Sequence, residues 1–182
     1  MDSFNPMGCG CNNSDPGAVP LTINLGQTSR QNQNFRTTLW TGNLLQLTVM
    51  CIPFRGEIGL ELHPDTDQLI RVEEGQATVH MGKHRDQMTI HRLLGMGDAV
   101  LIPCGTWHNV VNTGNRTLKL SSVYAPAQHP KGTIHRTKAD AEQDEKQPDA
   151  DIGSQIIPPN VTKTVCTDRY NSLHFPPTLF HN

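Results

Sequence analysis

From Phe35 to Tyr124 the chain repeats a single pattern: short runs rich in β-branched and apolar residues, each closed by a turn former. "FRTTLWTG" and "LLQLTVMCIP" end at Gly42 and Pro53. "EIGLELH", "DQLIRVEE", "QATVHMG", "QMTIHRL", "DAVLIP", "WHNVVNTG" and "LKLSSVY" follow, separated by Gly82-Lys83, Gly95-Met96-Gly97-Asp98, Pro103-Cys104-Gly105 and Thr113-Gly114-Asn115. Strands this short and this evenly spaced, with no convincing helix between them, predict an all-β sandwich or barrel and exclude an α/β architecture.

The rest of the chain has a different texture. Residues 1–34 are rich in Asn, Gly, Ser, Gln and Pro, with one apolar patch, Val19-Pro20-Leu21-Thr22-Ile23. They read as a mostly irregular N-terminal arm whose patch adds an edge strand. Residues 35–136 form the barrel. Residues 137–182 read as a C-terminal tail, with one short helix from Lys138 to Glu145 capped by Thr137. Beyond it lie two Pro-Pro steps and the scattered apolar residues Ile156, Ile157, Tyr170, Leu173, Phe175 and Phe180. That stretch reads as either an extended strap on the barrel or a disordered segment.

Charge and composition narrow the partners. Fifteen Lys and Arg against 17 Asp and Glu leave no basic block to grip a phosphate backbone, so nucleic acid is not expected. No run approaches the roughly 18 apolar residues of a membrane span, and "MDSFNPMGCGCNNSD" has neither the basic nor the apolar region of a secretory signal. A cytoplasmic location and no membrane partner are the expectation. Five scattered cysteines make a poor disulfide framework. Cys9 and Cys11 read as idle thiols in the arm, and Cys104 as an unreactive thiol with no Lys or Arg beside it.

Two stretches carry candidate chemistry. In "GLELHPDTDQLIRVEEG", Glu61 and His63 are two apart, so on a strand their side chains aim at one face, as metal ligands must. Past the turn, Gln68, Ile70 and Val72 share the face better suited to the interior, while Asp67, Leu69, Arg71 and Glu73 point outward. In "GDAVLIPCGTWHNVVN", a Gly-Asp turn, an apolar strand and a Pro-x-Gly turn lead to His108. An inward His108 in a small barrel faces the strands that carry Glu61 and Gln68. Taken alone, a Glu-x-His pair is ordinary surface decoration; His108 in register gives it meaning.

The second stretch resembles a known family. Gly97, Pro103, Gly105, His108 and Asn112 stand at every fixed position of the second cupin motif. The first motif is matched in part: Gly75 closes it in register and His63 holds its second histidine. Arg55 stands where its opening glycine belongs, with Gly56 one place late. Glu61 replaces the first histidine and Gln68 the glutamate. The resemblance covers about Phe35 to His135 and is to small single-domain bacterial cupins of the cupin 2 type. It implies a double-stranded β-helix, or jelly-roll barrel, and one divalent metal. Carried over by position, the metal set is Glu61, His63, Gln68 and His108, with the carboxylate moved from the third slot to the first. Two imidazoles and a carboxylate suit Fe, Mn, Ni or Zn, and the amide of Gln68 either ligates or orients a water.

Other histidines read differently. His80, His84 and His91 fall at no ligand spacing and belong to a hairpin surface, whereas His129 and His135 are placed to rim the barrel mouth. Trp107 points away from His108. Glu57 and Glu74 fall on inward parity, but Glu74 sits next to a turn, and neither is a convincing group to move protons. Three function classes remain open: a metal-dependent dioxygenase, isomerase or lyase acting on a small polar molecule; a non-catalytic small-ligand binding module; and a structural role with a vestigial pocket. Ile58, Leu60 and Leu62 alternate with the polar set and would form an outer apolar patch, which predicts a homodimer.

Overall fold

The structure, a computed structural model, describes residues 15–146. The Cys9-Gly-Cys11 pair, Cys166 and the segment read as strap or disorder lie outside the described residues. Strands β1 (Arg36–Thr41), β2 (Gln46–Ile52), β3 (Asp67–Glu74), β4 (Ala77–Gly82), β5 (Ile90–Leu94), β6 (Ala99–Ile102), β7 (Trp107–Asn112), β8 (Leu118–Ala125) and β9 (Ile134–His135) follow one another, with helix α1 (Leu25–Gln31) before them and α2 (Lys138–Lys146) after. One sheet has the order β6-β3-β8-β2-β1-β9 and the other β5-β4-β7, with every pairing antiparallel. Two antiparallel sheets facing each other around one core make the expected double-stranded β-helix. No helix among the described residues is long and apolar enough to cross a membrane.

Alternation along each strand divides the barrel interior into two zones. On the six-stranded sheet, Gln46, Tyr124, Gln68 and Ile102 lie side by side on one rung, and Thr48, Ser122, Ile70 and Val100 on the next. All eight are buried, and most of these groups are polar. Deeper rungs are apolar: Met50 pairs Leu120 and Leu120 pairs Val72, while Ile52 pairs Leu118. Val79, Ala77 and Val110 meet them from the second sheet in one hydrophobic cluster. The apolar end closes the barrel and the polar end is left for chemistry. Burial of Gln68, Ile70 and Val72 agrees with the parity reading.

Three expectations change. The patch from Val19 to Ile23 forms no strand; it is irregular and exposed, and the arm's regular element is α1. Asn24 caps that helix by accepting from the Gln27 N–H at 3.0 Å. "EIGLELH" is likewise not a regular strand. Its backbone pairs with β7 through the isolated bridges Glu57↔Val111 and Glu61↔His108, and Asn109 adds side-chain hydrogen bonds to Glu57 and Gly59. Within it, Ile58 packs into the core rather than onto an outer patch. The helix expected from Lys138 is present as α2, with the Thr137 hydroxyl accepting from the Asp140 N–H and the Asp140 carboxylate returning to the Thr137 N–H.

Candidate metal centre and its pocket

Backbone pairing brings the ligands together before any side chain acts. The Glu61 N–H donates to the His108 carbonyl and the His108 N–H to the Glu61 carbonyl, both at 3.0 Å. A mutual pair of this kind points the two side chains the same way. The Gly105 N–H donates to the His63 carbonyl at 2.8 Å, tying His63 to the Pro103-Cys104-Gly105 turn. Asp67, on the outward parity of β3, accepts from the Cys104 N–H and braces the same turn. The Asn112 amide points at the carbonyls of Ile52, Pro53 and Arg116, so this motif position is structural.

The result is a cluster in which one ligand atom from each of Glu61, His63 and His108 lies within 4.8 Å of the others. Glu61 Oε1 is 3.2 Å from His108 Nε2 and 3.5 Å from His63 Nε2. Donors about 2.0–2.2 Å from one ion stand at such separations. His108 is 1 % exposed and His63 7 %. His108 Nδ1 lies 2.8 Å from the Thr106 carbonyl, an acceptor only, so Nδ1 carries the proton and donates. In the neutral ring, Nε2 then presents a lone pair to a carboxylate oxygen. Two acceptors 3.2 Å apart need a positive charge between them, either a second ring proton or a metal ion. The buried His63 Nε2 makes no hydrogen bond and faces the same point. Orphaned nitrogens converging on a carboxylate fit a divalent cation in donor type and spacing.

Burial alone pushes the Glu61 carboxyl up, but His108, His63 and the charge of Arg36 outweigh it and hold the group well below the usual carboxylate range. Glu61 is therefore an anion at neutral pH, as a ligand must be. Gln68 is buried in the same barrel. Its Nε2 donates to Ser122 Oγ at 3.0 Å, and its Oε1 is buried without a partner.

A cavity of about 610 Å³ opens over the cluster. Arg36, Glu61, His63, His129 and His135 form its polar wall; Leu60, Leu62, Trp107 and Pro130 its apolar one; and Asp144 and Glu145 of α2 reach its rim. Both late histidines thus reach the mouth. His129 is set by Gln46, whose side chain accepts from the His129 N–H at 3.0 Å and donates to its carbonyl at 2.7 Å. Its ring meets Tyr124 edge-on at 5.1 Å, and Tyr124 meets His63 at 5.6 Å. Burial pushes the Tyr124 phenol up to about 12 and, with help from Arg36, the His129 imidazole down to about 2. A second cavity, between residues 74–76, Met96 and residues 113–116, lies away from the cluster.

Several residues fall outside the site. Glu57 lies on the surface, bonded to Asn109 at 2.9 Å and Lys138 at 3.0 Å, and half-exposed Glu74 faces Arg116 at 3.9 Å. Neither reaches the pocket. His80 and His91 pair across strands on the outer face, Nδ1 to Nδ1 at 2.6 Å. Trp107 stacks near Arg85 at 5.8 Å yet also borders the cavity. Cys104 is disulfide-bonded, not a free thiol. Arg36 and Tyr124 belong to the site but to neither sequence motif. The signal for Arg36 was a cation inside an apolar strand, "FRTTLW".

Comparison with known proteins agrees with this geometry. The Cupin domain family matches residues 48–124. The uncharacterized protein YrkC of Bacillus subtilis (strain 168) is 49% identical over 127 residues, covering 70% of this chain and 68% of its own length. The chain belongs to the cupin family. The uncharacterized protein L612 of Acanthamoeba polyphaga mimivirus is 39% identical over 113 residues, 62% of this cupin and 69% of the viral protein. The crystal structure of BH2720 from Bacillus halodurans matches with a TM-score of 0.71 at 50% identity, covering 71% of this chain and 98% of that one. The likeness to BH2720 spans nearly the whole of that protein, so the barrel is the shared unit.

Proposed function

We propose that this cupin binds one divalent transition metal, Fe, Mn, Ni or Zn, through Glu61, His63 and His108, and acts on a small polar molecule by oxygenase, isomerase or lyase chemistry. The observation that carries the reading is the fixed tautomer of His108: the Thr106 carbonyl takes Nδ1–H and leaves Nε2 as a lone pair aimed at Glu61 and toward His63. Such an outer partner is what metal-bound imidazoles ordinarily have. A bound metal supplies Lewis acidity toward a ligand oxygen. The chain's own part is to exclude water on the apolar wall and to orient the ligand with the polar one. Tyr124 remains protonated through the physiological range and His129 remains neutral, so the interior offers one hydroxyl donor and one imidazole lone pair.

A second reading, a non-catalytic binding module, is favoured by one observation. The two carboxylates that sequence parity offered for proton transfer, Glu57 and Glu74, are on the surface. Elemental analysis of untagged protein, repeated on His63→Ala and His108→Ala, tests the metal. Near-stoichiometric metal in the parent and a large loss in both variants is expected; full occupancy in both variants refutes the site. Oxygen-uptake and turnover screens against small keto and enol compounds then separate enzyme from binding module.

A further inference from the structure

We infer that the cavity takes small organic carboxylates, gripped by Arg36, a ligand class that rests on the metal reading above. Arg36 is among the most deeply buried large side chains, 2 % exposed, yet it lines the cavity. A guanidinium placed there needs compensation, because an unpaired buried charge is costly. Among the described residues its one ion pair is with Glu61, 3.8 Å from its Nη2 and beyond hydrogen-bond reach, and its guanidinium carbon stands 5.8 Å from the Phe35 ring centroid. Nε is buried without a hydrogen-bond partner. Glu61 is committed through Oε1 to the two imidazoles and turns a single oxygen, Oε2, toward Arg36, so it does not fill the two-pronged fork.

The neighbours repeat the signal. His129 Nε2 and His135 Nδ1, on the same wall, are also buried and unpartnered. His135 uses its other nitrogen, Nε2, on Asp144 at 2.6 Å, which leaves Nδ1 for the interior. Polar atoms are rarely left unpaired in this way unless water or a ligand completes them. Charge selects the ligand. Beside the cluster Arg36 and Glu61 cancel, so a divalent ion there would leave local positive charge next to the guanidinium that an anion can meet, while Asp144 and Glu145 oppose it only from the rim.

Shape selects further. The planar guanidinium fork matches the two oxygens of a carboxylate. Leu60, Leu62, Trp107 and Pro130 line the same cavity and offer apolar surface to a short carbon skeleton. Asp144, 71 % exposed and held by His135, stands with Glu145 at the rim and disfavours heavily charged ligands such as nucleotides. The bound acid would place one carboxylate on Arg36 and direct a second oxygen toward Glu61, His63 and His108.

Calorimetric titration of the full chain, with and without Zn²⁺, tests this with acetate, malonate and succinate, their neutral amides, and inorganic phosphate. At least one carboxylate should bind about tenfold or more tightly than its amide, and Arg36→Gln should lose about tenfold in affinity for that carboxylate while its affinity for the amide is little changed. Arg36→Lys, which keeps the charge and loses the fork, should also weaken binding and guards against a misfolded Gln variant. Equal binding of acids and amides overturns the proposal, as does tighter phosphate than carboxylate binding, or undiminished affinity in both Arg36 variants. Failure of the metal reading is separate: it appears as no zinc uptake by the parent, with Arg36-dependent anion binding retained.

Discussion

At the scale of single residues, the site is a negotiation over one carboxylate. Glu61 answers to two imidazoles and a guanidinium, and the family's usual carboxylate position, 68, holds an amide tied to Ser122. The charge at the centre therefore rests on Glu61. Glu61→Gln is expected to weaken metal binding much more than Gln68→Ala, by about tenfold or more in a metal titration; the reverse order would make the amide position the dominant one. His129 gives a pH prediction. Burial first, and then the charge of Arg36, lower its imidazole from 6.5 to about 2. Its neutral form is the folded one, so its contribution is complete above pH 6.5 and is lost progressively as pH falls toward 2. Glu61, also depressed, loses its contribution only below 4.5. Between 4.5 and 6.5, chelator-treated protein should lose up to about 1.4 kcal/mol per pH unit through His129, and His129→Asn should flatten that slope in denaturant titrations. Identical slopes would remove His129 as the cause. Glu61, His63 and His108 were legible because two-residue periodicity and motif spacing are local facts. Arg36 was not, since its role depends on which groups the opposite strands bring to it.

At the scale of elements, the strands were readable and the irregular pieces were not. Nearly every alternating run became a strand, because alternation is itself the burial pattern. The segment 57–63 alternates as well, but it pairs with β7 only at two bridges, and Ile58 turns into the core. Helix α1 shows no apolar period, because Leu25 is the one apolar side chain among its seven residues. Its readable signal was Asn24 followed three residues later by Gln27, the outline of a capping box. The same helix accounts for the burial of Glu73: it packs on β2, β3 and β8, and the carboxylate bonds Arg71 and Ser121 at 2.6 Å. The turn after β2 explains the departure at the first motif. Arg55, where the motif has glycine, has φ +63°, the left-handed region that an L side chain enters at a cost of about 1–2 kcal/mol. Its guanidinium lies over the Phe54 ring at 5.0 Å, which offsets part of that. Arg55→Gly should leave stability unchanged or raise it by up to about 1 kcal/mol in chemical denaturation, since added unfolded-state entropy also subtracts. A clear loss would show that the stacking contact outweighs the strain.

At the scale of the whole molecule, the open question is what covers the outer face of the large sheet. The patch expected from Ile58, Leu60 and Leu62 does not exist: Ile58 is buried, and the two leucines border the cavity. Register places a different apolar band on the outside. Trp40 pairs Leu47, Leu47 pairs Val123, Val123 pairs Leu69, and Leu69 pairs Leu101, a single line across β1, β2, β8, β3 and β6. Helix α1 covers neighbouring rungs and leaves this one open at its β6 end, where Leu101 is 73 % exposed. Val19, whose carbonyl accepts from the Trp40 indole N–H at 2.7 Å, extends the band at its other end and is itself 50 % exposed. Five strands spaced about 4.8 Å apart make a band roughly 20 Å long. A second copy is the partner that fits, because a twofold axis lays one apolar line on its own image and buries both at once. We therefore propose a homodimer through this face. Light scattering at high micromolar concentration should give about 40 kDa, twice the 20.1 kDa chain. Leu101→Glu with Leu69→Lys would place charge in the band on the outer parity, away from the cavity, and should shift the mass to that of the monomer while zinc uptake is retained. A monomeric parent protein rules the dimer out, and a dimer undisturbed by the double variant moves the interface to another face.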